Sequence, residues 1–103
     1  METASLHRTI VAVVRIVAIY RAYRVCITYR EPTFEQHMDR GPRTYRAVFV
    51  VFARAPAGAE VRARGAFESL ALNSRVSWVR EITAVDVREA PHGAVEQLDG
   101  AAA

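Results

Sequence analysis

The chain contains no lysine: all fourteen of its basic side chains are arginine. It has one cysteine, Cys26, which excludes an internal disulfide and every multi-cysteine metal site. A lone thiol fits a reducing compartment, so a cytoplasmic location is expected. The five glycines are scattered, and no GxGxxG, GxxxxGK[ST], GxSxG or HExxH pattern occurs. The phosphate-cradling loops, nucleophile elbows and zinc helices that those patterns build are therefore not indicated. The three histidines, His7, His37 and His92, fall in three separate segments without ligand spacing. A long apolar run is also missing. Residues 10–20, IVAVVRIVAIY, are interrupted by Arg15 and bounded by Arg8 and Arg21. A membrane span needs about 20 apolar residues, and an arginine at its centre costs about 2.5–3.5 kcal/mol. No uninterrupted apolar centre or small-x-small cleavage site marks a signal peptide. A soluble chain is expected, with membrane association through residues 6–20 as the lesser alternative.

What is present is arginine, unevenly spread. Up to Arg54 there are nine arginines against four acids, a net +5; from Ala55 onward there are five against seven, a net −2. One-signed charge in one half bears on partners rather than on fold. Arginine binds phosphate and carboxylate bidentately and stacks on rings, as lysine does not. A GC-rich coding sequence yields the same bias without any function, and the abundance of alanine fits that cause. With 51% hydrophobic and 24% charged residues over 103 positions, the composition is that of one small folded domain, not of a disordered chain.

Three segments have clear periodicity. In residues 22–30, Tyr23, Val25, Ile27 and Tyr29 alternate with Arg24, Cys26, Thr28 and Arg30, the period-two pattern of a strand; Pro32 lies just beyond it. Residues 44–54 are apolar on both parities, Tyr45, Ala47, Phe49 and Val51 on one and Val48, Val50 and Phe52 on the other. A strand of that kind is usually covered on both faces. The two strands are expected to form an antiparallel hairpin across residues 31–43, a connection long enough to be irregular and functional. Residues 57–73 place Ala59, Ala63, Ala66, Phe67 and Leu70 on one helical stripe, with Glu60–Arg64 and Arg64–Glu68 as i, i+4 pairs opposite. Residues 76–88 are rich in β-branched side chains, and alternation fails near Trp78 and Val79, which predicts a third strand with a bulge or a late start.

The expected fold is α+β: an N-terminal helix, or a strand, over residues 5–20, then β-β-α-β, forming one domain over residues 1–89. Residues 90–103, with Pro91, two glycines and a terminal alanine run, are expected to be a disordered tail. The helix over residues 5–20 would cover the second apolar face of residues 44–54.

No enzyme is expected, and no cofactor or metal. Glu35, His37 and Asp39 sit at i, i+2 and i+4, but no second cluster completes a site and a solvated loop is expected there. Cys26, on the parity of Arg24 and Arg30, is expected to be a buried structural residue. Trp78 is expected in the core or at an edge, and Tyr20, Tyr23, Tyr29 and Tyr45 to meet arginines. The strongest functional constellation is Arg24, Arg30, Arg46, Arg54 and Phe52. If their parities share one sheet face, four arginines frame an apolar centre with an aromatic platform, as in open sheets that bind single-stranded nucleic acid. The aromatic–glycine motifs of the RNA-binding sheets are absent. The simpler expectation is a non-enzymatic binding or accessory protein whose partner is another protein or a second copy of itself. Nucleic-acid binding through the arginine-rich half is the alternative.

Overall fold

A computed structural model describes residues 19–72 and 79–102. The elements in order are β1 (Arg21–Arg30), α1 (Pro32–His37), β2 (Tyr45–Ala53), α2 (Pro56–Leu72), β3 (Glu81–Glu89) and β4 (Gln97–Ala102). The four strands form one antiparallel sheet in the order β3-β1-β2-β4. The fold is α+β, as the sequence predicts. The expected helix over residues 5–20 lies outside the described residues except for its last two positions, and Trp78 lies outside them as well. No helix among the described residues is long and apolar enough to cross a membrane.

The period-two pattern decides which face is buried. Tyr23, Val25 and Ile27 of β1 and Ala47, Phe49, Val51 and Ala53 of β2 are buried against Ala59, Ala63 and Phe67 of α2. Ala66 and Leu70 of α2 and Ile82, Val85 and Val87 of β3 close the rim of this core. Alanine at two of the three buried positions of α2 lets the helix approach the sheet closely, and Phe67 fills the remaining space beside Tyr29, with ring centroids 4.9 Å apart. Glu60 and Arg64 pair on the outer side of the helix at 3.4 Å.

Two expectations are corrected. First, residues 97–102 are not part of a disordered tail. They form β4 on the outer edge of β2, with Ala47 opposite Ala102 and Val50 opposite Gln97. Gly100 makes this possible. Its φ is +65°, and an added Cβ would lie 3.1 Å from Leu70 Cδ1 and 3.2 Å from Phe49 Cζ, so the backbone rests directly on the core. Arg62 reinforces the arrangement by donating to the Phe52 carbonyl at 3.1 Å while pairing with Glu96 at 2.6 Å.

Second, Glu35 is not on a solvated loop. Pro32 starts a short helix, and Glu35 faces inward and is buried. Its carboxylate accepts from Arg30 Nη2 at 2.7 Å and from the Arg43 backbone N–H at 2.8 Å, which ties both ends of the 31–43 connection together. Thr33 Oγ1 accepts from the Val79 N–H at 2.9 Å, linking α1 to the approach of β3. The late start expected of the third strand is met, since β3 begins at Glu81, and a register irregularity lies farther along it. Register shifts between Thr28 and Tyr29, whose partners are Ala84 and Ile82. The extra residue, Thr83, donates from its hydroxyl to the Thr28 carbonyl at 3.2 Å.

Candidate functional site

The face of the sheet opposite α2 carries the even-numbered residues of β1 and β2. Directly opposed residues in an antiparallel pair point to the same side, so the register defines its rows. Arg24 is flanked by Arg88 of β3 and Val50 of β2, and Gln97 of β4 follows Val50. Cys26 is flanked by Asp86 and Val48, and Thr28 by Ala84 and Arg46. Ala22 opposes Phe52 at the end of the face. No described element packs on this surface. Arg24, Arg46 and Arg88 are exposed, Phe52 is 36% exposed, and Cys26, Val48 and Val50 are half-buried. Cys26 is thus a residue of this face, not a buried core residue as expected.

The sequence-predicted constellation divides. Arg24, Arg46 and Phe52 share the face. Arg30 does not contribute, because Glu35 holds its guanidinium at 2.7 Å. The pair shifts both groups toward their charged forms: the hydrogen bond from Arg30, helped by the Arg43 N–H, lowers the Glu35 pKa, and the same bond raises that of Arg30. Arg54 lies beyond the end of β2, with its guanidinium 5.4 Å from the centre of the Tyr20 ring. Tyr45 and Tyr29 likewise lie under Arg43 and Arg80, at 5.4 Å and 5.5 Å.

Two members escaped the sequence reading: Arg88 and Asp86. Their parity along β3 is visible in the sequence, but nothing there reveals that β3 pairs with β1 and brings Arg88 opposite Arg24. Like charges opposed across a strand pair are destabilising. Asp86 offsets part of that cost through a contact of 2.9 Å with Arg88 Nε. Three arginines against one aspartate leave the face positive around an aliphatic centre.

The face ends at an open depression of about 660 Å³ beside Phe52 and Tyr20. Its far wall is the turn Pro91–His92–Gly93–Ala94, closed by the Ala94 N–H donating to the Pro91 carbonyl at 3.1 Å, with Gly93 at φ +85°. Arg21 and Glu89 pair across its rim at 2.9 Å, which raises the Arg21 pKa. Among the described residues no group of three or more His, Cys, Asp or Glu side chains is placed to hold a metal ion. No family model matches the chain, and neither a curated protein nor a solved structure matches it.

Proposed function

We propose that this chain is a small non-enzymatic binding protein that engages a protein partner through the open face of its sheet. The observation that carries the proposal is the pattern of that face: an aliphatic centre of Val48, Val50 and half-buried Cys26, rimmed by the exposed guanidiniums of Arg24, Arg46 and Arg88. Apolar centres with arginine at the margin are the composition of protein interfaces. Valine side chains offer a partner's apolar groups a dry contact. They offer a nucleobase no ring to stack on. The complementary partner surface has an apolar centre and carboxylates around it.

The test is affinity capture from native-host extract with and without nuclease, using the wild-type chain, Val50→Glu and Arg24→Glu. A protein partner retained after nuclease, and lost by both variants while their melting is unchanged, supports the proposal. Capture that is indifferent to both substitutions refutes it.

Nucleic-acid binding is the second reading, favoured by one observation. Arg24 and Arg88 are directly opposed in the sheet with Arg46 two rows away, and a chain of phosphates laid across the strands would neutralise all three. Among the described residues Phe52 is the aromatic residue of this face available for stacking, against the several that open RNA-binding sheets use.

A further inference from the structure

We propose that β3 is a self-association edge, through which two copies of this chain pair antiparallel with Val87 opposite Val87 of the second copy. The inference goes beyond the binding-face proposal and does not need it, since it rests on the backbone edge of β3, although Asp86 and Arg88, which set its register, also belong to the open face.

β3 is the outermost strand on its side, and no described strand pairs with its outer edge. Which backbone groups point outward follows from the ladder with β1. The Ala90 N–H donates to the Ala22 carbonyl at 2.9 Å. In an antiparallel ladder, hydrogen-bonded and non-bonded pairs alternate. Arg88 and Asp86 therefore bond inward to β1, while Val85, Val87 and Glu89 present their N–H and C=O groups outward. A row of unpaired groups on a strand of nine residues is a template for another strand.

Charge then selects one register. Two copies that extend a common sheet must keep side chains of like facing opposite one another, which restricts the two-fold axis to positions along β3. An axis at Asp86 opposes aspartate to aspartate. An axis at Arg88 opposes arginine to arginine, and an axis at Val85 brings Glu81 toward Glu89. An axis at Val87 opposes Asp86 of each copy to Arg88 of the other. It also lets Val87 pair with Val87, and Val85 with Glu89, through the outward backbone groups. The Asp86–Arg88 rows then fall at non-hydrogen-bonded positions, where opposed Cα atoms are only about 4.5 Å apart. The charges that would discourage indiscriminate edge pairing are thus ordered to be self-complementary. The product is a continuous eight-stranded sheet, in which the two arginine-rimmed faces merge on one side.

Sedimentation equilibrium of the full chain tests this, with Asp86→Arg, Arg88→Asp and the double swap. The wild type is expected to dimerise within about 10–100 μM, the weak end for a small interface. Each single substitution opposes like charges twice and is expected to weaken the dimer about tenfold or more. The double swap, Asp86→Arg with Arg88→Asp, restores both cross-pairs and is expected to recover it. Glu89→Pro removes an outward donor while leaving the β1 side bonded, a position where proline is tolerated, and is expected to give a folded monomer. Val50→Glu, on the open face, leaves the dimer intact, which separates this proposal from the binding-face one. A wild type that remains monomeric to about 500 μM, single variants that dimerise as wild type does, or a double swap that fails to recover overturns the proposal.

Discussion

Glu35 and Gly100 are the two residues whose individual chemistry most constrains the chain. Glu35 holds Arg30 and the Arg43 N–H from a buried position. Its pKa is lowered in the folded state, first by the Arg30 hydrogen bond and then by the Arg43 N–H, against an opposing effect of burial. A carboxylate whose folded pKa lies below its unfolded one stabilises the fold above the unfolded value, and that contribution is lost as pH falls through the folded pKa. Stability is therefore expected to decline on acidification below about pH 4.5, the ordinary glutamate range. In Glu35→Gln that part of the decline is expected to vanish and the 31–43 connection to exchange its amide protons faster. Denaturant melts of both chains between pH 7 and 3 check this; parallel pH profiles would refute the role. Gly100 combines a left-handed φ with tight approach to Leu70 and Phe49. Alanine there faces a backbone cost of about 1–2 kcal/mol, before any displacement of Phe49. Gly100→Ala is expected to lower the melting temperature by several degrees, whereas Gly65→Ala, with nothing within 4 Å of the added carbon, is expected to raise it slightly.

At the scale of elements, α2 and β4 are stabilised in different ways. The helix is held by its apolar stripe, and Phe67 is its largest buried side chain, 3% exposed. Phe67→Ala is expected to cost about 3–5 kcal/mol, a large share of what a domain of this size commands. Wild-type-like thermal melting of that variant would remove Phe67 from the core. Arg80 adds to the same end of the molecule, with its guanidinium 5.5 Å from the Tyr29 ring centre and 5.7 Å from that of Phe67. β4 has no comparable stripe. It is held by pairing to the β2 edge, by the close seat of Gly100, and by the Arg62–Glu96 pair that leads into it.

Across the whole molecule, one side of the sheet is occupied by α2 and the other presents Arg24, Arg46, Arg88 and Phe52. The nucleic-acid alternative is decided by salt. If the arginines contact phosphates, affinity for single-stranded oligonucleotides falls with salt at a log–log slope of about −0.7 per phosphate. Arg24→Gln with Arg46→Gln is expected to reduce that slope by about 1.4. Phe52→Leu is expected to lower affinity without changing the slope, because stacking is worth about 1–3 kcal/mol per base and carries no charge. Fluorescence anisotropy at several salt concentrations measures both effects, and undetectable binding at low salt leaves the protein-partner proposal alone.

The elements whose own side chains carry a period were legible without coordinates. Tyr23, Val25 and Ile27 marked the buried side of β1, and Ala59, Ala63 and Phe67 marked that of α2, because period two and period 3.6 are local properties of a backbone. The parity shared by Arg24, Arg46 and Phe52 was legible for the same reason. The rest depended on partners distant in sequence. β4 is built of small residues with little strand preference and exists because the edge of β2 lies beside it. Glu35 sat in a segment of polar character, and only the approach of Arg30 and Arg43 made burial of its charge favourable. Arg88 became part of the candidate site through the pairing of β3 with β1. Local periodicity thus determined which faces exist, and tertiary pairing decided which residues meet on them, because a strand's register depends on a neighbour that its own sequence does not specify.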